Sequence, residues 1–452
     1  ELHRRAVPFA LFERAPRVGG IIRTDRCSGF TIDAGPDSFL VQKPAAIELC
    51  RELGLGPELI STLPPGNAFV VRQGRLHPLP SGSVLGIPTR IGPLFRTSLL
   101  SLSGKFRMAL DLTIQIPVKT GDESVASFFR RRFGHEAVDY IAEPLLAGIH
   151  AGDVERLSMK ALFPRFMDAE QTHGSVIRAF RQQSSKRTNA IRKGSIFQSL
   201  PGGIEQFTTA LTRYLPTDAI RCGVGATAIE GTGPFRVRLS SGKEISATRV
   251  ILAVPAYVAG ELIRPLDPVL RRLCNAIPYT STATVVLGYR REAIQHPLQG
   301  AGFVVPRVEP DFSLTAGTWV SSKWPGRAPH GQVLLRAFAG GARDPGALEH
   351  SDAELVATIH RDLMALVGIT GEPTFTRVYR WPRANPQHEV GHLELVAKID
   401  ARLANLPDLQ LIGAAFRGVG IPDCVVAGRS AGIAAAQLRS GTRTVLPSSP
   451  QP

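Results

Sequence analysis

The sequence predicts an α/β fold in which both ends of the chain build one Rossmann-like domain, beside a mixed-sheet domain and an α-helical domain. Near the start, the apolar run from Val7 to Phe12 ends in Glu13, which is how a dinucleotide-binding strand presents a carboxylate to a ribose hydroxyl. Near the end, the apolar strand LQLIGAAF leads through a glycine-containing turn into an Ala-rich helix. Because a helix N-terminus directs amide groups outward, this turn can hold part of the same ligand.

Composition limits the possible functions. The chain has 452 residues, 43% of them hydrophobic, which is enough for a large core and two or three subdomains. Five scattered cysteines without a Cys-x-x-Cys pair indicate neither disulfides nor a thiolate metal site, so a reducing cytoplasm is expected. The net charge is +15, and residues 171–193 hold six Lys or Arg and no acid. Stacking aromatics and nucleic-acid-binding signatures are absent, so no nucleic-acid partner is predicted.

The first half of the chain predicts a helix, a hairpin and then a helical region. Residues 44–55 predict a helix that is opened by Pro44 and ended by Gly54. Residues 68–80 predict a hairpin around a Gln-Gly turn. Residues 81–190 have mostly helical spacing of apolar side chains. No apolar run approaches the roughly 20 residues that cross a bilayer.

Strands dominate the second half. A helix is predicted over 202–215, after a glycine pair, and a hairpin then turns at Ser241-Gly242. The segments TATVVLGYR, GFVVP and QVLLRAFAG follow as strand patterns. No repeat of 20–50 residues is found.

Residues 388–392 read HEVGH, which matches the His-Glu-x-x-His motif of zinc peptidases. That motif requires a regular helix, since only a helix places both imidazoles on one face. Here Pro382 and Pro386 precede the motif and Gly391 lies inside it, so a regular helix is not expected. We therefore predict a loop with two polar rings and no metal.

Three long stretches resemble the protoporphyrinogen oxidase family, which uses FAD and oxygen and is related to the flavin amine oxidases. They are LFERAPRVGGIIRTDRCSGFTIDAGPDSFL, SVASFFRRRFGHEAVDYIAEPLLAGIHAGDVERLSMKALFP, and the pair WPRANPQHEVGH and GAAFRGVGIPDCVVAGRSAGIAA near the end. The second is the most specific, and the resemblance extends over about residues 1–440. It implies an FAD-binding domain of the GR2 type (1–65, 195–255 and 398–440), a substrate domain (66–90 and 256–397), a helical domain (91–194) and a tail (441–452).

The resemblance assigns cofactor-binding residues along the whole length of FAD. The acid Glu13 would bind the adenosine ribose. The other implied cofactor residues are Arg14, Gly19, Gly20, Arg23, Gly35, Pro36, Asp37, Ser38, Ala226, Trp381, Val419, Gly420 and Ile421. Of these, Val419, Gly420 and Ile421 would offer backbone amides to the flavin's pyrimidine edge. A hydride from a porphyrinogen methylene group would pass to the flavin, and no catalytic side chain is named.

The substrate implied by the resemblance is a flat, apolar porphyrinogen with propionate groups. The implied substrate-binding residues are Asn67, Phe69, Gly148, Val304, Trp319 and Val320. Plant and animal members of the family bind a propionate through an arginine in an Asn-Arg-Phe context, where this chain has Ala68. Arg72 or Arg75 on the same predicted hairpin is a candidate replacement, and each of them could equally be solvated.

A second departure concerns the front of the chain. A dinucleotide fold should carry a Gly-x-Gly-x-x-Gly turn roughly 20 residues before the ribose acid. Only twelve residues precede Glu13, none of them glycine, and Glu1–Arg5 resembles the end of the helix that follows such a turn. We therefore expect the chain expressed alone to bind FAD poorly or not at all.

Several alternatives stay open at this point. The predicted reaction is the oxidation of protoporphyrinogen IX by oxygen in haem biosynthesis, and coproporphyrinogen III is the alternative substrate. Another flavin amine oxidase, or a non-catalytic fragment that acts at a membrane surface, would be a different reading of the same chain. The expected location is the cytoplasm. Attachment to the cytoplasmic membrane through the helices of 81–190, and pairing with a second copy, are left open.

Overall fold

The computed structural model describes residues 1–113, 121–186 and 195–437. Its strands are β1 (Leu11–Glu13), β2 (Thr24–Cys27), β3 (Phe30–Asp33), β4 (Phe39–Leu40), β5 (Ile60–Ser61), β6 (Ala68–Arg72), β7 (Arg75–Pro78), β8 (Ser83–Val84), β9 (Ile87–Pro88), β10 (Phe197–Ser199), β11 (Ile220–Cys222), β12 (Ala226–Glu230), β13 (Phe235–Leu239), β14 (Glu244–Ala247), β15 (Val250–Leu252), β16 (Tyr279–Arg290), β17 (Gly302–Val304), β18 (Ala316–Trp319), β19 (Gln332–Gly340), β20 (Phe375–Pro386) and β21 (Leu409–Leu411).

The α-helices are α1 (Ala45–Glu52), α2 (Ile91–Arg96), α3 (Leu102–Ala109), α4 (Val125–Phe133), α5 (His135–Ala137), α6 (Gly148–His150), α7 (Met159–Leu162), α8 (Pro164–His173), α9 (Val176–Lys186), α10 (Glu205–Tyr214), α11 (Ala256–Leu262), α12 (Pro268–Asn275), α13 (Val320–Lys323), α14 (Asp352–Val367), α15 (His392–Leu403) and α16 (Ile421–Gln437). Short 3-10 helices lie at His3–Arg5, Gly56–Glu58, Leu110–Leu112, Thr217–Ala219, Arg291–Ala293 and Ala347–Glu349, and a π-helix spans Val138–Ala147. Within the described ranges, none of these helices is both long enough and apolar enough to cross a bilayer.

The two ends of the chain share one hydrophobic core. Strand β1 runs parallel to β11, and β15 runs parallel to β21. Phe12 of β1 packs against a buried cluster that includes Leu252 of β15 and Leu409 and Leu411 of β21. The prediction that both ends contribute to one domain is confirmed.

The central sheet has seven strands in the order β20-β16-β19-β18-β17-β6-β7. Only the pair β17 and β6 is parallel among its neighbours, so the sheet is mixed, as predicted. Because strand side chains alternate, it has two distinct faces. One face is covered by α14, which packs Leu355, Ile359 and Leu363 against it. The other face contacts β3 through Phe30 and Ile32.

Helices α2 to α9 form a third core, rich in phenylalanine. Phe128, Phe129 and Phe133 of α4 pack with Phe166 of α8 and Phe180 of α9, which agrees with the helical spacing of the sequence. The N-cap of α4 is a serine whose hydroxyl accepts from the amide three residues on, a usual way to satisfy a helix start.

A group of buried charges joins the same helices. The guanidinium of Arg132 is fully buried and pairs with Asp111 at 3.0 Å and with Glu170. Arg131 bridges Glu170 and Glu123. Buried charges are tolerated when they are paired in this way, so this group is structural. Part of the predicted basic stretch, residues 187–193, and the tail at 441–452 lie outside the described residues.

Helices α11 and α12 pack with β15 and β21, since Ala259, Leu262 and Leu270 belong to the same buried cluster. The division of the chain into domains stays a prediction. The fold differs from the sequence prediction at one strand. The apolar run that ends at Phe416 is a strand only over its first three residues. The chain then turns at Gly413, whose φ is +120°.

Candidate active site

Glu13 lies where a ribose acid is expected, at the carboxyl end of β1. One oxygen of its carboxylate accepts from the Ala15 amide at 2.8 Å. Its backbone carbonyl accepts from the Val224 amide at 3.1 Å, two residues before the predicted adenine contact Ala226. A Cβ on Gly225 would lie 3.1 Å from the Cβ of Arg14. The structure thus brings the three predicted adenosine residues together.

The diglycine forms a turn that an arginine holds in place. Gly19 and Gly20 have φ values of +104° and +56°, which favour glycine. The guanidinium of Arg17 donates to the carbonyls of Gly20 (2.7 Å) and Ile22 (2.9 Å). The sequence analysis did not identify Arg17. A Cβ on Gly20 would meet no protein atom within 4 Å, so the backbone there is open to a ligand.

Arg23 is paired with an acid within the protein. Its guanidinium donates twice to Asp25, at 3.0 and 3.1 Å. It also lies over the Tyr379 ring, 5.5 Å from the centroid. The role of Arg23 beside the cofactor stays a prediction.

The turn after β3 packs directly on the diglycine segment. A Cβ on Gly35 would lie 2.1 Å from the carbonyl oxygen of Ile21, so only glycine fits there. The Ala34 amide donates to the Arg23 backbone carbonyl at 2.9 Å, and the Trp381 indole donates to the Ala34 carbonyl at 3.1 Å. Trp381, predicted beside the flavin, is therefore fixed to this turn.

Asp37 and Ser38 are engaged inside the protein. The Asp37 carboxylate pairs with Lys323 at 2.9 Å and with Arg336 at 3.1 Å, and accepts from the Ser38 hydroxyl at 2.7 Å. Burial alone would raise the pKa of Asp37, but Lys323 and Arg336 hold it well below its usual range. These two side chains therefore fix the turn that the resemblance places near the flavin ring, and its contact with the flavin stays a prediction.

A second buried carboxylate lies under the same turn. Asp33 pairs with Arg327 at 3.2 Å and accepts from the amide of Ile204 at 2.9 Å, just before α10. Burial raises the pKa of Asp33. Neither Lys323, Arg327 nor Arg336 was identified from the sequence, because no local pattern links them to acids some 290 residues earlier in the chain.

The C-terminal turn meets the front of the chain through a hydrophobic contact. Ile421, at the start of α16, packs against the same buried cluster as Ile22, beside the diglycine. The Gly420 amide donates to the Asp423 carboxylate at 3.1 Å, so of the three predicted amides this one already has an acceptor. Val419 lies next to it, ahead of the helix N-terminus.

Two of the predicted substrate residues are on the wrong face of the central sheet. Phe69 and Trp319 contact each other, with ring centroids 5.3 Å apart, in the core beneath α14. Val304 instead packs against the helical core, as does Val70. The predicted roles of Phe69 and Trp319 are therefore corrected, because alternation in a strand directs them away from Val304.

The other predicted substrate residues are more scattered. Val320 is buried in the cluster that contains Phe30, Gly148 is exposed at the start of α6, and Asn67 is exposed and uses its carbonyl to accept from the Ala301 amide at 2.7 Å. Only Val304 occupies the space between sheet and helices.

Strand register identifies a residue that the sequence analysis missed. Val304 pairs with Ala316, Ala316 with Phe338, and Phe338 with Thr284, so these side chains form one row on the face opposite α14. Phe338 is half-buried, and the Arg336 guanidinium lies 4.9 Å from its ring centroid. The alternation in LLRAFAG was the available signal. Val304, Ala316 and Phe338 of this row form a partly exposed apolar surface, whereas Thr284 and the Asp37-paired Arg336 beside it are buried.

The two candidate propionate anchors differ in availability. Arg72 lies 4.7 Å from the centroid of Tyr140, donates to the carbonyl of Leu99 and is 3.9 Å from Glu136. It therefore joins β6 to the helical part. Arg75, across the turn, is exposed.

The HEVGH segment is not a regular helix across both histidines, as predicted. His388 follows β20, and α15 begins only at His392. Each Nε2 atom lies about 3 Å from a backbone carbonyl, that of Ala414 (3.0 Å) and that of Phe416 (3.1 Å). Among the described residues, no three His, Cys, Asp or Glu side chains are grouped so as to hold a metal ion.

These residues fit FAD. Glu13 offers an acceptor at the adenosine end, and the start of α16 offers a helix N-terminus at the other end. Added Cβ atoms on Gly20, Gly413 and Gly428 would meet no protein atom within 4 Å. Bare backbone facing open space at three points suits a long ligand that approaches closely.

The chain matches the flavin-containing amine oxidoreductase family over residues 1–435. It is 38% identical over 438 residues to coproporphyrinogen III oxidase of Bacillus subtilis, covering 95% of this chain and 92% of that protein. It is 31% identical over 446 residues to chloroplastic protoporphyrinogen oxidase 1 of Spinacia oleracea, covering 92% and 77%.

A solved structure agrees with these relatives. A protein from Exiguobacterium sp., provisionally assigned as a protoporphyrinogen oxidase, superimposes with a TM-score of 0.83 at 31% identity, covering 94% of this chain and 92% of that one. The fold, the family match and the site together confirm FAD as the cofactor. This chain belongs to the flavin-containing amine oxidoreductase family.

Proposed function

We propose that the protein oxidises coproporphyrinogen III to coproporphyrin III, with oxygen as the acceptor. The observation that carries this proposal is the partly exposed apolar surface of Val304, Ala316 and Phe338, on the sheet face where Val304 packs against the helical core. A flat macrocycle fits an apolar surface of this kind. The similarity to the Bacillus subtilis enzyme supports coproporphyrinogen as the substrate.

The reaction removes six hydrogen atoms in three two-electron oxidations, while three oxygen molecules are reduced to three of hydrogen peroxide. Bound FAD supplies the two-electron acceptor that oxygen then restores. The protein's own contribution is to hold and orient. Glu13 would anchor the adenosine end, and the Val304–Phe338 row would hold the macrocycle out of water. No side chain is assigned as an acid or base.

Charge at the edge of this surface favours the tetracarboxylate. Coproporphyrinogen carries four propionates, whereas protoporphyrinogen carries two propionates and two vinyl groups. Arg75 and Arg307 are exposed. Arg75 begins β7, directly after a turn that meets the Arg307 loop, because the Gln73 amide donates to the Glu309 carboxylate at 2.7 Å. The Arg307 amide donates to the Glu143 carboxylate of the π-helix at 2.9 Å. Two exposed cations at this edge suit additional propionates.

The test compares the two substrates. Purified protein with excess FAD is given each porphyrinogen in air, and porphyrin and hydrogen peroxide are both measured. We expect kcat/KM for coproporphyrinogen III to exceed that for protoporphyrinogen IX at least tenfold, with one peroxide formed per two hydrogens removed. A preference for protoporphyrinogen IX, the second candidate and the substrate named by the spinach relative, would reverse the assignment. Failure of protein with bound FAD to oxidise either would reject both.

We also propose that the protein lies peripherally on the cytoplasmic membrane through α3. Leu102, Phe106 and Leu110 follow each other at four-residue spacing and are 68%, 61% and 39% exposed. Ile91, 48% exposed, and the exposed Arg90 flank this face on α2. Apolar side chains with neighbouring cations are typical of a helix that lies on an anionic bilayer.

Sedimentation with vesicles tests this contact. The protein is expected to pellet with vesicles rich in anionic lipid, and Phe106→Asp is expected to lower the bound fraction at least threefold. Val269→Asp, at a residue 38% exposed on α12, is the matched control and should pellet like the wild type. Equal pelleting of the two variants would reject α3 as the contact.

A further inference from the structure

The two histidines of HEVGH form a stacked pair. Their ring centroids are 3.8 Å apart with an interplanar angle of 9°, and both side chains are buried. Because a carbonyl oxygen only accepts, the Nε2 atoms that face Ala414 and Phe416 must both carry hydrogen. The pair therefore presents two N–H donors, side by side, to alternate carbonyls of one segment.

That segment, residues 413–418, is a strap that leads into the Val419–Ile421 turn. A glycine at positive φ stands at each of its ends, Gly413 at +120° and Gly418 at +87°. It belongs to no strand or helix, and the Phe416 amide donates to the Gly413 carbonyl within the strap itself. Glycine ends allow the strap to rotate. Arg417 of the strap pairs with Asp400 of α15 through its side chain, and the two histidine donors hold the strap's backbone at the carbonyls of Ala414 and Phe416.

The histidine segment is fixed on its other side to the helical part. The Ser158 amide donates to the His388 carbonyl at 2.8 Å, and the Val390 amide donates to the Arg156 backbone carbonyl at 2.9 Å. The Gly391 amide donates to Asp122 at 3.2 Å. One short segment thus contacts both the helices that border the substrate surface and the strap that precedes the flavin turn.

The buried surroundings keep both rings neutral. Burial, and then the neighbouring ring, lower the pKa of His388 to about 3. Burial lowers the pKa of His392. Neutral rings suit this role, since two charged imidazoles in stacked contact would repel each other.

We propose that His388 and His392 are positioning residues, which hold the strap 413–418 and so fix the Val419–Ile421 turn against the flavin. The inference rests on the proposed flavin-binding role of that turn. It requires no metal at HEVGH and no direct contact between either ring and the cofactor. Its prediction is that the strap loosens when a donor is lost, even if the stacked ring is kept.

The experiment uses His388→Phe and His392→Phe, which keep an aromatic ring but remove the donor. Hydrogen exchange of peptides covering 412–421 is followed by mass spectrometry, without and with FAD, and FAD affinity is measured from flavin fluorescence. We expect exchange in these peptides to rise at least tenfold and FAD affinity to fall at least fivefold. The glutamine variants keep a donor near the Nε2 position and should recover most of both losses.

His360→Phe is the matched control. His360 also stacks on an aromatic ring, that of Tyr289 at 5.8 Å, and its Nδ1 atom is 2.9 Å from the Tyr289 hydroxyl, but it lies on α14. This variant should leave the 412–421 peptides unchanged. Unchanged exchange and FAD affinity in the His388 and His392 variants would overturn the proposal. Exchange needs no substrate, so a wild type that oxidises no porphyrinogen would reject the proposed function and leave this result standing.

Discussion

Gly35 is a residue at which a single added methyl group should strongly disturb the cofactor region. Its Cβ would lie 2.1 Å from the Ile21 carbonyl oxygen, and both partners are backbone that cannot rotate away. We expect Gly35→Ala to lower the free energy of unfolding by about 1–3 kcal/mol, as overpacking usually does. It should also weaken FAD binding, because the turn must move away from the diglycine. Urea unfolding and flavin fluorescence measure the two effects.

Gly92→Ala is the control for that variant. Gly92 lies in α2, and an added Cβ there would meet nothing within 4 Å. Its unfolding free energy should stay equal or rise slightly, since alanine favours a helix. A loss equal to that of Gly35→Ala would show that the packing of Gly35 is not the cause.

A substitution of Arg75 tests whether this side chain binds a propionate of the substrate. Because the side chain is exposed, a contact with a carboxylate there is worth about 0.2–1 kcal/mol. We expect Arg75→Ala to raise KM for coproporphyrinogen III up to about fivefold, with a smaller effect on protoporphyrinogen IX and no change in kcat. Arg290→Ala, at an exposed residue on the far end of β16, should change neither. Equal effects on the two substrates would remove Arg75 from the specificity argument.

Individual side chains show where the sequence could not predict the site. Glu13 and Gly35 could be predicted because each belongs to a local pattern, a strand end or a turn. Asp37 was recognised, but its partners Lys323 and Arg336 were not, since they are about 290 residues away. A pattern of neighbours along the chain contains no information about such pairs, and the resemblance alone assigned Asp37 to the flavin.

At the scale of elements, we expect opposite effects on KM and on stability from a substitution in β19 and one in β6. Phe338 lies in the row with Val304, while Phe69 lies in the core beneath α14. We expect Phe338→Ala to raise KM for the porphyrinogen about tenfold and to leave FAD affinity unchanged, since the contact that we propose for the ring is with the substrate and not with FAD. Phe69→Leu should lower stability by about 1 kcal/mol without changing KM. The opposite outcome would restore Phe69 to the substrate surface.

The histidine segment predicts a pH dependence of stability. The pKa of His388 is about 3 in the folded protein and about 6.5 in an unfolded chain. Below about pH 6.5 the unfolded state therefore binds more protons, and the free energy of unfolding falls as the pH drops towards 3. His392 and His150 have lowered pKa values for the same reason, burial, while Asp122 and Glu394 partly oppose the effect at His392.

His388→Gln measures this contribution. The variant should flatten the slope of unfolding free energy against pH between about 6 and 4, by up to about 1.4 kcal/mol per pH unit. His330→Gln, at an exposed residue, should leave the slope unchanged. Parallel curves for wild type and His388→Gln would show that the ring titrates normally in the folded protein.

Elements with local signals were predicted well. The hairpin of β6 and β7 turns at Gln73 and Gly74, both at positive φ, as the Gln-Gly pair indicated. The helix opened by Pro44 forms α1. The strand before Phe416 was predicted too long, because apolar residues there are buried without being paired: Ala415 and Phe416 are 3% and 4% exposed. Hydrophobicity indicates burial and does not by itself distinguish a strand from a strap.

At the scale of the whole molecule, the joining of the two chain ends was predictable in outline. A strand ending in an acid and a helix preceded by glycines are complementary parts of one nucleotide site, and the structure places both in shared hydrophobic clusters. The sides of the central sheet were not predictable, because the alternation within a strand gives two faces without saying which one α14 will cover. The expectation that the chain alone binds FAD poorly stays a prediction.

The two faces of the central sheet place different requirements on the side chains that alternate along each strand. Side chains under α14, such as Val285 and Leu335, contribute only to packing. The side chains that alternate with them, such as Thr284 and Arg336, lie on the face that borders the proposed ligand side. A library confined to the partly exposed positions Val304, Ala316 and Phe338 could therefore change which tetrapyrrole is accepted while leaving the scaffold's melting behaviour nearly untouched, because the buried Val286, Leu334 and Arg336 on the same face would be kept. Varying the positions under α14 should lower the melting temperature instead.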